Sequence, residues 1–233
     1  MAAEYDLKPA FVKMNAQVTQ AIRDRLEWIG VDWISDEDKP EDGKEIRLLD
    51  YAAGTGVVSR ALGPYVTHTL GVDISPGMVN KFNEHARKAG LDPSRIHAIE
   101  GDLCSDPPTV SFTEMPSTNF DIAVVCAGFH HFNDTELATK RLAERLKPGG
   151  VLLIMDFLTP SGEDGKVPDE VKHMVKVFGF DEPTMRRLFE GAGLVDFDLW
   201  IMPEKVVLER EKDGEMMRRE ITVFFAKGRK PAA

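Results

Sequence analysis

The stretch Leu48-Leu49-Asp50-Tyr51-Ala52-Ala53-Gly54-Thr55-Gly56 decides how the rest of the chain is read. An apolar run reaches an acid, passes into small residues and ends on two glycines, after which 57–62 resumes with a helical apolar pattern. A buried strand that turns into a helix through small residues lets a ligand lie against bare backbone. Two common ligand classes fit poorly. The dinucleotide fingerprint G-x-G-x-x-G or G-x-G-x-x-A, started at Gly54, ends on Ser59. The phosphate-cradling G-x-x-x-x-G-K-[ST] is absent from the sequence.

Outward from this turn, short apolar runs alternate with helical ones. Strands are expected over 46–51, over 69–72 closed by Asp73, and over 96–99 closed by Gly101-Asp102-Leu103. Between the second and third, 75–89 reads as a helix, with Ser75 as N-cap, Pro76 in the first turn and Gly90 as stop. A polar, proline-containing loop covers 105–118. Then come a buried strand over 120–126, a helix over 134–146, a sharp turn over 147–150 and a buried strand over 151–157. This alternation, with strands apolar throughout, implies a parallel sheet covered on both faces. A flexible link over 159–167 leads to helical patterns over 171–178 and 182–192. Two long strand patterns, 195–208 and 216–227, flank Asp213-Gly214, a hairpin signal. The expected fold is α/β and doubly wound, with a mostly parallel seven-stranded sheet and a C-terminal antiparallel hairpin.

The 233 residues suit one domain over 1–233. Within it, 1–45 is an N-terminal helix and connector. Met14, Val18, Ile22, Leu26 and Ile29 recur at helical spacing over 9–29, with Gly30 at the end, and an acidic connector follows. The helix precedes the sheet, so its stripe is free to close over the sheet's open end as a lid. The segment 158–180 is a second insertion outside the alternating pattern and reads as a cap. Together the two supply candidates for a substrate pocket, Tyr5, Phe11, Met14 and Phe178, although plain core packing would use the same residue types. An apolar lid favours a small organic ligand over a charged polymer.

Asp and Glu number 39 against 29 Lys and Arg, so the net charge of −10 repels phosphate backbones and disfavours a nucleic-acid partner. Cys104 and Cys126 sit without a CxxC or His/Cys cluster, which argues against a disulfide framework and against a metal site. Residues 1–11 lack the basic and apolar regions of a secretory signal. The apolar runs are strand-length, short of the ~20 residues a membrane span needs. A cytoplasmic location without a membrane partner is the expectation.

Asp50 to Gly56 resembles the D-x-G-x-G-x-G motif of class I S-adenosylmethionine-dependent methyltransferases, with Ala52 in place of the first glycine. It is most similar to the small-molecule branch of ubiquinone and menaquinone biosynthesis. Further matches follow in order: Gly71-Val72-Asp73-Ile74-Ser75, Glu100-Gly101-Asp102-Leu103, Phe120-Asp121 with Cys126-Ala127-Gly128-Phe129-His130-His131-Phe132, and Leu146-Lys147-Pro148-Gly149-Gly150-Val151. The resemblance spans about Leu48 to Phe157. It implies a Rossmann-like fold, S-adenosylmethionine as cofactor, and a cofactor site at Asp50, Ala52, Gly54, Gly56, Asp73, Ile74, Asp102, Leu103 and Cys126. In that site Asp73 would accept the ribose hydroxyls, Asp102 the adenine amino group, and the Leu103 backbone N–H would meet a ring nitrogen. Asp50 would steady the cofactor's ammonium. At Ala52 a positive φ would be strained.

Methyl transfer from a sulfonium needs orientation and, for some acceptors, a base. His130 and His131, just after the fourth strand, are the catalytic candidates; the alternative for either is a packing or backbone-bonding role. The resulting expectation is methyl transfer from S-adenosylmethionine to a small organic acceptor. Two alternatives stand beside it. One is a protein side-chain methyltransferase whose acidic surface attracts a basic target. The other is a catalytically silent partner subunit, against which the intact series Asp50, Asp73 and Asp102 speaks.

Overall fold

Successive strand residues point to opposite faces, and here both faces are apolar. In the computed structural model, which describes residues 9–35, 43–105, 118–159, 179–212 and 215–232, β1 (Arg47–Tyr51) shows the consequence. Leu48 packs into a core with α1 (Pro9–Arg23) and α3 (Val57–Leu62). Leu49 packs into a second core with α5 (Thr135–Arg145) and α6 (Glu182–Gly191). β4 (Phe120–Cys126) repeats the division: Ile122 and Val124 face the first core, Ala123 and Val125 the second. Burial of each leucine contributes about 1.5–3 kcal/mol, so a one-residue slip in β1 would set these pairs against the wrong helices.

The seven-stranded sheet has the order β3-β2-β1-β4-β5-β9-β6. β2 (His68–Asp73), β3 (Ile96–Glu100) and β5 (Leu146–Phe157) run parallel to β1 and β4. β9 (Val223–Arg229) is antiparallel to both β5 and β6 (Val195–Ile201). Chain order reverses between β1 and β4, and the carboxyl ends of strands at such a reversal are where α/β sheets bind ligands.

The structure revises several expected elements. The helix expected over 9–29 is two pieces: α1 stops at Arg23, Asp24 and Arg25 form a turn, and α2 (Leu26–Ile29) sets off again. Interactions with the sheet hold the second piece. Trp28 Nε1 donates to Asp198 Oδ2 at 2.7 Å, Arg229 donates to the Gly30 carbonyl at 2.8 Å, and Arg25 lies over the Trp200 ring. The turn expected over 147–150 lies inside β5 as a bulge. Phe120 pairs with Leu146 but Ile122 with Val151, and Gly149 takes φ 78°. Neither long C-terminal pattern is continuous. After β6 the chain leaves the sheet as β7 (Val206–Lys212), pairs with β8 (Glu215–Ile221) in a separate two-stranded ribbon, and returns as β9. The Asp213-Gly214 turn itself lies outside the described residues, as do most of the loop over 105–118, the link over 160–167 and the helix expected over 171–178.

The helix starts show local causes. Asp134 caps α5 through the Leu137 N–H at 2.8 Å, and Asp181 caps α6 through the Thr184 N–H at 3.0 Å, each such cap contributing about 1 kcal/mol. Ser75 occupies the cap position of α4 (Pro76–Lys88) but its side chain makes no capping bond; Asp73 Oδ1 instead accepts the Ser75 N–H at 2.9 Å.

Candidate active site

The site starts from the turn after β1. Three of its residues are left-handed: Ala52 with φ 56°, Gly54 with φ 53° and Gly56 with φ 89°. For Ala52 this conformation costs about 1–2 kcal/mol, the strain anticipated for an alanine at this place. Its methyl is accommodated because residue 128 is glycine: a Cβ there would lie 3.1 Å from that of Ala52. At Gly56 a Cβ would come within 2.8 Å of the Phe82 ring, so α4 packs directly on this turn.

Three carboxylates, one from the end region of each of three strands, meet beside the turn at one cavity. Asp50, on β1, is buried, and its Oδ2 accepts both the Ser59 hydroxyl at 2.6 Å and the Ser59 N–H at 3.1 Å. Burial pushes its carboxyl up to about 7, partly offset by those bonds and reinforced by the nearby Asp73 charge. Asp73, closing β2, accepts the Gly54 N–H on Oδ2 at 2.8 Å. Asp102, two residues beyond β3, accepts the Cys104 N–H at 2.7 Å and the Tyr51 hydroxyl at 3.3 Å, both on Oδ1.

These acids border one cavity of about 430 Å³ at the carboxyl end of the sheet. Ala52, Gly54, Thr55 and Ile74 also line it, and Ile74 is 70% exposed, an apolar side chain left uncovered beside Asp73. Cys126, Ala127, Gly128 and Met155 form the wall from β4 and β5. Burial, helped by Asp50, pushes the Cys126 thiol far up, so it stands there as a neutral group. Met14, Asn15 and Val18 of α1 form another wall, which places this helix beside the cavity. No Lys or Arg lines the cavity among the described residues.

Most residues singled out in the sequence meet here: Asp50, Ala52, Gly54, Asp73, Ile74, Asp102, Cys126, His131 and Met14 all line the cavity. Gly56 stands behind it against Phe82. Two expectations are corrected. Leu103 is fully buried, and its backbone N–H donates to the Tyr51 hydroxyl at 2.8 Å rather than facing the cavity. His130 is buried too: Nδ1 lies 2.8 Å from Asp156 Oδ1, the backbone N–H donates to Asp156 Oδ2 at 3.0 Å, and the ring stacks on Phe157. It packs the end of β5, and the exposed His131 is the histidine at the cavity. Tyr5 and Phe178 lie outside the described residues, as does the side chain of Phe11. The sequence reading missed Tyr51, Asn15, Met155 and Asp156. Only the position of Tyr51 inside the glycine motif, and of Asp156 at the end of an apolar run, could have marked the first and last.

Residues 14–198 match the family model described as a methyltransferase domain. An uncharacterized methyltransferase of Schizosaccharomyces pombe is 34% identical over 153 residues, covering 63% of this chain and 52% of that protein. A demethylmenaquinone methyltransferase of Bacteroides fragilis is 28% identical over 159 residues, covering 66% of this chain and 58% of that protein. The chain thus spans about half the length of the curated relatives it matches. Among solved structures, the YcgJ protein of Bacillus subtilis superposes with a TM-score of 0.62 at 21% identity, covering 81% of this chain and 93% of that one. Phosphoethanolamine N-methyltransferase 2 of Haemonchus contortus, solved with S-adenosyl-L-methionine, gives 0.60 at 16% identity, covering 99% of this chain and 60% of that one. These likenesses establish the Rossmann-like methyltransferase fold, and the match over 14–198 establishes the family: the chain belongs to the methyltransferase domain family.

Proposed function

We propose that this chain transfers a methyl group from S-adenosylmethionine to a small organic acceptor. The observation that carries the proposal is the charge of the cavity: three carboxylates, Asp50, Asp73 and Asp102, and no Lys or Arg among its described lining residues. Such a set of acidic acceptors repels phosphates and suits a ligand that brings a cation, hydroxyls and an amino group to donate. S-adenosylmethionine brings all three, in its ammonium and sulfonium, its ribose and its adenine. Asp73 is the group to hold the ribose hydroxyls, Asp102 the adenine amino group and Asp50 the ammonium. The backbone of Ala52 and Gly54 would meet the amino-acid end, and Ile74 offers an apolar surface to the base.

When bound, S-adenosylmethionine supplies an electrophilic methyl group. The protein's part is to orient the acceptor and exclude water from its approach. Met14, Val18 and Met155 give the cavity apolar walls, which favour a small organic acceptor. The likeness to a demethylmenaquinone methyltransferase supports the same class. His131 is the titratable group placed to take a proton from an acceptor oxygen, nitrogen or sulfur.

An acceptor screen that follows S-adenosylhomocysteine production tests the proposal across phenols, thiols, amines, carboxylates and basic proteins. Turnover with a small molecule is the expected result. Turnover confined to basic proteins would replace the acceptor class.

A further inference from the structure

Tyr51 links two of the loops that border the cavity. It ends β1, next to the glycine turn, while Asp102 follows β3, and β2 lies between those strands. The phenol spans that gap. Its oxygen accepts the Leu103 N–H at 2.8 Å, and the hydroxyl lies 3.3 Å from Asp102 Oδ1, with the Cys104 thiol as a second side-chain neighbour. The Cys104 N–H reaches the same Oδ1 at 2.7 Å, so both contacts bear on one oxygen and fix the rotation of the Asp102 carboxylate about its bond to Cβ. The ring is itself held edge-on against Phe132, 5.6 Å between centroids, and Phe132 packs against the fully buried Phe129. Residues 101–105 form no helix or strand. Arg141 also holds the loop by donating to the Leu103 and Ser105 carbonyls, and the Gly101 N–H ties its start to the Asp73 carbonyl at 3.1 Å. Burial pushes the Tyr51 phenol well above its ordinary range, so it keeps its proton as a donor at any working pH.

We propose that Tyr51 is a positioning residue for base recognition: its hydroxyl sets the Asp102 carboxylate at the angle that reads an exocyclic amino group, and so makes the site selective for adenine. This rests on the S-adenosylmethionine reading of the cavity. Tyr51 is itself part of the cavity wall beside Asp102, and its hydroxyl acts on the base through the carboxylate. A hydroxyl in this place gives directional control that a leucine or phenylalanine of similar bulk would lack, because the aligned oxygen would be held by one backbone N–H alone.

The test compares two ligands on two proteins. Calorimetry measures the affinity of S-adenosylhomocysteine and of S-inosylhomocysteine, whose base carries an oxo group in place of the amino group. A carboxylate that reads the amino group should favour the adenosyl compound by about 10–150-fold in the unaltered protein. In Tyr51→Phe the ring packing stays and the hydroxyl goes, and the preference should fall to roughly threefold or less. A merely structural Tyr51 would weaken both ligands together and leave their ratio intact, and that result overturns the proposal. Loss of the Leu103 N–H partner could stop Tyr51→Phe from folding. A second variant, Tyr51→4-aminophenylalanine, therefore keeps a donor toward Asp102 and should retain most of the preference; a lost preference in that folded variant also overturns the proposal. If the unaltered protein binds both ligands equally well, Asp102 does not read the amino group and the proposal fails while the cofactor reading stands. If it binds neither, both fail together.

Discussion

The carboxylate of Asp73 accepts the backbone N–H of Gly54 at 2.8 Å, so the acid that closes β2 is bonded to the glycine turn that follows β1. Its other oxygen accepts the Ser75 N–H at 2.9 Å. One side chain thus joins two strand ends and the start of α4 at the rim of the cavity, and its position is set before any ligand arrives.

Replacing Asp73 tests whether this carboxylate also holds the ribose. A hydrogen bond to a charged group contributes about 1.5–3 kcal/mol, so Asp73→Ala should weaken S-adenosylhomocysteine binding by about 10–150-fold. Calorimetry measures it, with circular dichroism confirming the fold. Unchanged affinity in a folded variant would reduce Asp73 to a support for the turn.

Asp50 makes binding and stability depend on pH in opposite senses. Its carboxyl titrates near 3.8 when exposed and near 7 in the fold. The folded state therefore holds the proton more tightly, and the group's stabilising contribution is complete below pH 3.8, declines as pH rises and is gone above about 7. A cation beside the carboxylate favours its charged form. S-adenosylhomocysteine, through its ammonium, should accordingly bind more tightly as pH rises toward about 7, by at most tenfold per pH unit, and release a proton on binding. Calorimetry in buffers of different ionisation enthalpy counts that proton. Asp50→Asn should abolish the release and flatten the decline of melting temperature across the same window.

The two adjacent histidines should separate cleanly. His130 is enclosed and bonded to Asp156, so His130→Ala leaves buried groups without partners and should cost about 1–3 kcal/mol of stability. His131 faces the cavity. His131→Ala should leave stability within about 0.5 kcal/mol and lower turnover by about 10²–10⁴-fold where the acceptor needs a base. Thermal melts and steady-state rates distinguish the two. Full activity in folded His131→Ala would remove the base.

The N-terminal helix is tied at one end and borders the cavity with the other. Arg23 donates to the Ala61 carbonyl at 3.1 Å and α2 is bonded to the sheet, while Met14, Asn15 and Val18 line the cavity. Deleting residues 1–14 should abolish turnover while S-adenosylhomocysteine affinity falls much less, because Asp73 and Asp102 remain. A truncated protein with full activity would show that this segment only covers the sheet.

What the sequence reveals is uneven for physical reasons. Strand ends are legible because buried parallel strands are apolar until an acid or glycine stops them, which marks Asp50, Asp73 and Asp102 directly. The break at Asp24 and Arg25 is hidden because Ile22, Leu26 and Ile29 keep helical spacing across it. The breaks in the C-terminal strands are hidden similarly: Met202, Val206, Ile221 and Val223 stay buried where the chain leaves and rejoins the sheet. Roles that depend on strand order leave almost no local trace. Tyr51 reaches Leu103 only because β2 alone separates β1 from β3, and His130 meets Asp156 only because β4 pairs with β5.

The proposed function requires that the cavity take adenosyl sulfur compounds, the sulfonium S-adenosylmethionine and its thioether product, in preference to a phosphate-bearing nucleotide. Calorimetric titration of the full chain with S-adenosylmethionine, S-adenosylhomocysteine, NAD and ATP measures that preference in one experiment. Binding of the first two at a single site, undiminished by excess NAD or ATP, is the predicted result. Tight binding of NAD with no binding of S-adenosylhomocysteine would contradict it.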